Sequence, residues 1–330
     1  MKTRRQGPGV RVAAFGALLA VALSIPTVQA QKGYPSRPIR FVVGNPPGGG
    51  QDIIARLLAA RLSETLAVPV LVDNRPGAAG NVGAEIVSRA PADGHTLLML
   101  GFANATNVGL FRKLPFDLLR DFTPVALVAE STNLLIAPAA GRFATVRELV
   151  SEARTNPGRL NYGSGGNGTV PHLGMELFKR LAGVDIVHIP YGGGGQSMAA
   201  LVGGQVDLLI VNALAGLPQL RSGKVKALGI TSLKRSPVVP NVPTISESGV
   251  PGFEVVSWWG VAAPAGLPLP ALSTINKAIA HAVSHPDIRS QFDAQGIDSA
   301  TGTPEAFGRF LQDEVRKWSK VIRDAGIQPM

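Results

Sequence analysis

The chain alternates short runs of β-branched and large apolar residues with longer segments whose apolar residues recur at helical spacing. After the first run a glycine-rich turn follows, and Ile54, Leu58 and Leu62 then repeat every four residues on one helix face. Strands that alternate with helices in this way predict an α/β fold with parallel-rich sheets and helices on both faces. The predicted strands are residues 39–43, 70–72, 96–100, 125–128, 134–137, 161–162, 185–189, 208–211 and 225–231.

Helix start signals support this pattern at two places. Thr145 and Glu148 have the spacing of a capping box, which predicts a helix from there to residue 156. Thr303 is placed to cap the last helix, with Pro304 in its first position. That helix carries a stripe of apolar residues, which indicates packing against the core. The predicted C-terminal helices are residues 269–284, residues 287–294 and the segment that starts at Thr303.

The N-terminus has the pattern of a secretory signal peptide. Basic residues precede an almost wholly apolar run of residues 12–25, and Val28-Gln29-Ala30 supplies a small-x-small cleavage pattern. The run is shorter than the roughly 18 to 20 residues of a membrane-spanning helix. We therefore expect residues 1–30 to be removed after Ala30 and the mature protein to reach the periplasm, with an uncleaved membrane anchor as the alternative.

Composition narrows the possible functions. The chain has no cysteine, which excludes disulfides, thiolate metal sites and a cysteine nucleophile. Without residues 1–30, which carry four bases and no acids, 28 bases remain against 22 acids, a net charge of +6. The bases are scattered, so no nucleic-acid partner is predicted, and a mild positive field favours anionic ligands. No P-loop or dinucleotide fingerprint is present, so no cofactor is expected.

Glycine-rich turns carry the candidate chemistry. Four of them, at residues 44–50, 74–80, 163–169 and 190–195, each follow a predicted strand and open a predicted helix. The first N–H groups of a helix have no internal partner and carry a partial positive charge. Ligands of open α/β sheets bind beyond the carboxyl ends of the strands, where such turns meet. Several of them around one cleft predict a receptor for carboxylates.

The same residues give less support to an enzyme or a metal site than to carboxylate binding. Ser164 is a conceivable nucleophile, but Tyr162 stands where a nucleophile elbow requires glycine. His281 and His285 share a predicted helix face without a third ligand at matching spacing, so no metal site is predicted. His172 opens a helix beside the 163–169 turn, where it acts either as a donor behind the site or as a capping residue. We predict no enzyme.

Seven motifs in register resemble the solute receptors of tripartite tricarboxylate transporters, also called the Bordetella uptake gene (Bug) proteins. The resemblance covers nearly all of the chain after residue 30. Its motifs are Tyr34-Pro35-x-Arg37-Pro38-Ile39, Pro46-Pro47-Gly48-Gly49-x-x-Asp52, Asn74-Arg75-Pro76-Gly77-Ala78-x-Gly80, Gly163-Ser164-Gly165-x-x-Gly168-Thr169-x-x-His172-Leu173, Leu201-x-Gly203-Gly204-Gln205-Val206-Asp207, Lys234-Arg235-Ser236-Pro237-x-x-Pro240-x-Val242-Pro243-Thr244 and Gly249-Val250-Pro251-Gly252-Phe253.

The resemblance implies a two-lobed type II periplasmic-binding-protein fold with two hinge crossovers. Residues 31–131 and 254–330 would form lobe 1, and residues 132–253 would form lobe 2. The implied function is to capture a small organic carboxylate between the lobes, as a monomer, and to deliver it to the permease subunits of a tripartite transporter. The predicted ligand-binding residues are Pro47, Gly48, Gly49, Asp52, Phe102, Asn104, Ser164, Gly165, Gly168, Thr169, Tyr191, Gly193 and Asn212.

Two departures from the family pattern bear on the ligand. Gly101-Phe102-Ala103-Asn104 replaces a turn often rich in serine and threonine, and Tyr191-Gly192-Gly193 lacks the lysine usual in its middle position. Together they predict a less highly charged anion, such as a monocarboxylate with an apolar body against Phe102. The alternatives are a sensory receptor of the same fold that signals to a membrane histidine kinase and an α/β hydrolase-like enzyme.

Overall fold

The computed structural model describes residues 33–330, apart from the side chain of Leu214, so the predicted signal peptide lies outside the described residues. The strands, β1 to β10 in chain order, are Ile39–Val43, Val70–Asn74, Thr96–Gly101, Phe122–Pro138, Asn161–Ser164, Val187–Pro190, Leu208–Asn212, Val225–Ile230, Val256–Pro264 and Ile297–Ser299. The helices, α1 to α10, are Gly50–Leu66, Asn81–Ser88, Phe102–Leu110, Val146–Thr155, Val170–Ala182, Gly194–Val202, Ala213–Arg221, Leu269–Ser284, Pro286–Ala294 and Pro304–Asp324. Nothing in the described part of the chain is a helix both long and apolar enough to cross a bilayer.

The predicted capping residues are confirmed in this structure. The side chain of Thr145 caps α4 by accepting a hydrogen bond from the Glu148 backbone N–H. The Glu148 carboxylate accepts the N–H of Ala144, the residue before the cap, so the reciprocal bond of a capping box is shifted by one residue. Thr303 caps α10 through the N–H of Ala306. The sequence pattern missed α3, α7, β9 and β10, and it divided β4 into two strands where the structure has one of 17 residues.

The strands form one mixed sheet in the order β2-β1-β3-β9-β4-β7-β5-β6, with β8 and β10 also paired to β4. The pairs of β1 with β2 and β3, and of β5 with β6 and β7, are parallel, as the alternation of strands and helices predicted. The pairs that involve β4 or β9 are antiparallel. Both parallel groups carry the glycine-rich turns, which therefore follow the carboxyl ends of their strands.

The long strand β4 joins two sections of this sheet. From Phe122 to Thr132 it pairs with β9, and from Asn133 onward it pairs with β7 and β8. A buried polar cluster lies at the change of partner: Thr231 Oγ1 accepts from the Asn133 N–H at 2.9 Å, and Asn133 Nδ2 donates to the Val255 carbonyl at 3.2 Å. Side-chain hydrogen bonds thus supplement the backbone ladder at the junction.

Helices cover both faces of the sheet. On one face, the helices α1 and α8 bury Ile54, Leu58 and Ile275 against β1, β3 and β9. On the other face, α10 buries Phe307 and Trp318 in a cluster that continues into α4 and α5. A third cluster packs α6 and α7 against the second half of β4. Burial on both faces of the central strands, such as β1, β3 and the second half of β4, explains why they appear as continuous apolar runs in the sequence.

One half-buried carboxylate beside the junction makes stability depend on pH. Burial, and then the nearby carboxylates of Glu254, Glu314 and Asp298, raise the pKa of Glu130 above its usual value of 4.5. The stabilising contribution of the protonated form is therefore fully present below the usual pKa and is lost as the pH rises through the folded-state value.

We therefore expect Glu130→Gln to raise the melting temperature at pH 7 by about 2 °C, the shift that roughly 1 kcal/mol produces in a domain of this size. The gain should vanish as the pH falls below 4.5, the usual value for glutamate. Glu305→Gln is the matched control, because a backbone N–H and Thr303 lower the pKa of Glu305 and its loss should not stabilise the protein. An equal rise in melting temperature at pH 7 and below pH 4.5 would contradict the expectation.

Candidate functional site

Several helix starts meet at one cavity of about 370 Å³. Gly50 and Gln51 open α1, Phe102 opens α3, and Thr169 precedes α5. A short 3-10 turn, Ala78–Gly80, leads into α2 and also lines the cavity. The volume suits a small organic ligand. The cavity therefore has the backbone geometry that the glycine-rich turns predicted, with N–H groups from separate helix starts around one space.

Among residues 33–330, the side chains that line this cavity are all uncharged. An anion held here would be stabilised by helix N-termini and neutral donors instead of an arginine or lysine. A larger groove of about 540 Å³ lies beside α4, α5 and the end of α10. Its cations already have partners, since Arg180 bonds Asp324 at 3.0 Å and Lys179 bonds Glu176 at 2.8 Å.

Carboxamide side chains form the polar end of the cavity. Asn104 Oδ1 accepts the N–H of Gly101 at 2.9 Å, so its position at the start of α3 is set by the backbone. Asn107 Nδ2 donates to Asn81 Oδ1 at 2.8 Å and to the Ala79 carbonyl at 3.0 Å. Asn81 Nδ2 is buried with no partner within the part of the chain that the structure describes. An unsatisfied buried donor is costly. Asn81 does not itself line the cavity, so this donor lies behind Asn107 and is not exposed to a ligand.

Aromatic and aliphatic side chains form an apolar wall of the cavity. Phe102 lines the cavity and packs edge-on against Trp318, with ring centroids 4.8 Å apart. Trp258, on β9, lines the same wall and is 1% exposed. Leu110, at the end of α3, closes the wall towards the 163–169 turn. The cavity lining thus includes both polar and apolar side chains, so it suits a ligand with a charged head and an apolar body.

The structure places Asp52 behind the first turn instead of in the cavity. Burial alone would raise the pKa of Asp52, but hydrogen bonds from Arg56, from the N–H of Gly48 and from Asn74 outweigh it and lower that pKa. The carboxylate therefore holds the turn in shape. Pro47, Gly48 and Gly49 lie on the exposed outer side of this turn, and its inner side presents Gly50 and Gln51.

Ser164 also lies outside the cavity lining, because its hydroxyl is used within its own turn. Ser164 Oγ is 2.7 Å from His188 Nε2 and accepts the N–H of Gly166 at 3.1 Å. Burial and the neighbouring His172 lower the pKa of His188 to about 4, so its ring is neutral at pH 7. The hydroxyl is fully buried, so this serine–histidine contact has no access to a substrate.

His172 acts as an acceptor behind the same turn. Its Nδ1 accepts the N–H of Gly168 at 3.0 Å, and its ring stacks on that of His188 with centroids 4.2 Å apart. In this contact His172 stabilises the turn as an acceptor, which is neither of the two roles left open by the sequence, a donor behind the site or a cap of the helix. It also fixes Gly168 and Thr169 where they line the cavity.

The remaining predicted residues support the turns after β5 and β6 and the junction in β4 without lining the cavity. Gly165 packs against the backbone of the 190–195 turn, where an added Cβ would meet Gly194 N at 3.1 Å. Gly193 caps α6, and Tyr191 packs into the cluster around α6 and α7. Asn212 Nδ2 donates to Ser131 Oγ at 3.1 Å beside the junction in β4. Of the predicted set, Phe102, Asn104, Gly168 and Thr169 line the cavity.

The sequence pattern missed other lining residues. Gln51 donates to the Met99 carbonyl at 2.8 Å and presents its side chain where α1 begins. Asn107 lies one turn after Asn104 on α3, a spacing that a helix starting at Phe102 would have revealed. Ser257 and Trp259 come from β9, which was not predicted as a strand, so no local signal pointed to them.

The fold and the cavity are those of a periplasmic solute-binding protein. The profile of the tripartite tricarboxylate transporter family receptor matches residues 54–327. The chain belongs to this family.

The relatives agree with this assignment over almost the full length. Protein BugT of Bordetella pertussis (strain Tohama I) is 35% identical over 317 residues, which cover 96% of this chain and 97% of BugT. The structure of R. palustris Rpa4515 with adipate has 37% identity and a TM-score of 0.77, and covers 90% of this chain and 100% of that one. The structure of MatC from Rhodopseudomonas palustris with bound malate has 36% identity and a TM-score of 0.73, and covers 88% and 100%.

Proposed function

We propose that this protein captures a small organic carboxylate in the cavity lined by Phe102, Asn104, Gly168 and Thr169 and delivers it to the permease of a tripartite transporter. The observation that carries the proposal is the meeting of several helix starts at one cavity whose described lining side chains are uncharged. Such starts stabilise an anion through N–H groups and the helix dipole. The bound adipate and malate of the two similar structures support a carboxylate ligand.

The polar and apolar side chains of the lining support a finer ligand class. A carboxylate head fits the carboxamide end, and an apolar body of several carbons fits the wall of Phe102, Leu110 and Trp258. A second carboxylate against this wall would lose hydration without gaining a donor or a cation. The preferred ligand is therefore a monocarboxylate with an alkyl or aryl body.

Two lobes are proposed to close around the ligand, with lobe 1 formed by residues 31–131 and 254–330 and lobe 2 by residues 132–253. The change of partner along β4 at Thr132 and Asn133 supports this division. If the chain crosses between the lobes only twice, closure requires only a few residues at these crossings to change their backbone angles. Ligand contacts from both sides would favour the closed form.

Export, oligomeric state and the absence of catalysis complete the proposal. Residues 1–30 are proposed to be a signal peptide cleaved after Ala30, in keeping with the periplasmic binding protein BugD, a solved structure with 32% identity to this chain. The protein is proposed to act as a monomer and as a receptor without enzymatic activity. The buried position of Ser164 supports the second point.

The experiment is calorimetry of the purified mature protein with hexanoate, benzoate, adipate and malate. Hexanoate and adipate have the same chain length and differ by one carboxylate, so their ratio of affinities measures the preference for a single charge. We expect hexanoate or benzoate to bind at least as tightly as adipate. Tighter binding of adipate and malate would contradict the finer ligand class, and no binding of any carboxylate would contradict the receptor function.

A further inference from the structure

A buried carboxylate stands behind the apolar wall of the cavity. Glu314 lies on the inner face of α10 and is 6% exposed. Its position continues the apolar stripe of that helix, seven residues after Phe307 and four before Trp318. Buried carboxylates are rare and require partners, so this one calls for an explanation.

One oxygen of this carboxylate bonds two indole rings. Glu314 Oε2 accepts the Nε1–H of Trp258 at 2.9 Å and the Nε1–H of Trp318 at 2.9 Å. Lys317 Nζ lies 3.7 Å from the other oxygen and 5.0 Å from the centroid of the Trp318 ring. The charge is thereby compensated, and both indoles are held by charge-assisted hydrogen bonds.

Both indoles connect Glu314 to the cavity. Trp258 lines the cavity itself. Trp318 does not, but it packs edge-on against Phe102, which does. Phe307 and Phe310 pack edge-on against the Trp258 ring from the α10 side, and hydrophobic contact alone leaves a planar ring free to slide. The hydrogen bonds to Glu314 fix the orientation of the indole rings within their planes, which such packing does not fix.

We propose that Glu314 is a positioning residue for ligand recognition. From α10 it fixes the positions of the Trp258 and Phe102 rings in the cavity wall, and it does not touch the ligand. The inference rests on the proposed carboxylate function and adds how the apolar body of the ligand is selected. The affinity for a ligand whose apolar body contacts the wall therefore depends on Glu314. The affinity for a carboxylate too short to reach the wall does not depend on Glu314.

The test compares hexanoate with acetate in parent protein and Glu314→Gln. Glutamine keeps the size of the side chain and one acceptor oxygen but removes the charge. We expect the affinity for hexanoate to fall by about tenfold, the effect of weakening charge-assisted bonds in a buried site. The affinity for acetate should change by less than about twofold, because its binding uses the carboxamide end. Asp313→Asn is the control, since this neighbour on α10 is exposed and pairs with Arg316.

A second measurement separates positioning from general stability. The chain has three tryptophans, so Trp259→Phe with Trp318→Phe leaves Trp258 as a single fluorophore. Adding Glu314→Gln to this variant should shift the emission maximum of Trp258, because the ring loses its charged partner. In a double-mutant cycle, Glu314→Gln and Trp258→Phe should be non-additive for hexanoate affinity.

The outcomes distinguish this inference from the function on which it rests. A larger loss for hexanoate than for acetate, together with the emission shift and the non-additive cycle, supports it. Equal losses for the two ligands, or additive losses in the cycle, overturn the positioning role and leave the receptor function intact. Failure of the parent protein to bind hexanoate, acetate or any other carboxylate overturns both.

Discussion

Replacing Gly168 with alanine is expected to weaken carboxylate binding by about five- to 150-fold. Gly168 has a φ of +78°, which an L-residue adopts only with strain, and an added Cβ would lie 2.4 Å from Leu110 Cδ1. Both residues line the cavity. Under the proposed division they belong to different lobes, so the collision opposes the closed form. Overpacking of this kind costs about 1 to 3 kcal/mol, which corresponds to about five- to 150-fold in affinity.

A matched glycine separates the collision from the backbone strain. Gly183 also has a positive φ, +64°, but no atom lies within 4 Å of its added Cβ. Gly183→Ala should therefore destabilise the fold by about 1 kcal/mol and leave ligand affinity unchanged. Leu110→Ala should restore part of the affinity in the Gly168→Ala background, because it removes the colliding methyl group. The measurement is calorimetry with hexanoate and adipate, and equal affinity in the two glycine variants would refute the role of this contact.

Replacing Gly260 with alanine is expected to lower the free energy of unfolding by about 3 kcal/mol, the upper end of the usual cost of overpacking. Gly260 lies in the middle of β9, between β3 and β4. An added Cβ would lie 2.2 Å from Phe307 Cζ and less than 3 Å from both neighbouring ring carbons. Phe307 is 1% exposed, so its ring cannot move aside without displacing the cluster around Trp258.

Gly308, the next residue after Phe307 on α10, provides the control. An added Cβ there meets Pro124 Cγ at 3.6 Å, an ordinary contact. Gly308→Ala should stabilise the protein by up to about 1 kcal/mol, because alanine favours the helix. Phe307→Leu should recover part of the loss in the Gly260→Ala protein. Thermal and denaturant unfolding would measure both effects, and a Gly260→Ala protein as stable as its parent would show that the ring has room to adjust.

The local pattern of residues predicted most helices and strands. Apolar residues spaced four positions apart predicted α1. The capping residue Thr303 and Pro304 in the first helical position predicted the start of α10. Both signals act within about one helical turn, so they can be read from the local sequence. The missed strand β9 contains two tryptophans and a glycine, and it is stabilised by partners more than a hundred residues away along β4. Its propensity alone does not distinguish it from a loop.

The candidate site was predicted less completely than the fold. Phe102, Asn104, Gly168 and Thr169 line the cavity, but the Ser164 hydroxyl is directed to His188, a residue on the neighbouring strand β6. Glycine-rich turns show where a backbone can approach a ligand. They do not show which side of the turn a polar side chain occupies, since that depends on partners supplied by other strands.

Local residue patterns predicted the alternation of strands and helices and the capped helix starts, and the order of motifs along the chain predicted its family. These follow from residue spacing, from hydrogen bonds within a few residues, and from motifs that persist in order along the chain. Tertiary structure decided which helix starts share a cavity, because the order β1-β3-β9-β4 brings distant turns together. It also decided that Glu314 is buried between two indoles, since a carboxylate in an apolar stripe acquires its role only from the rings that pack against it.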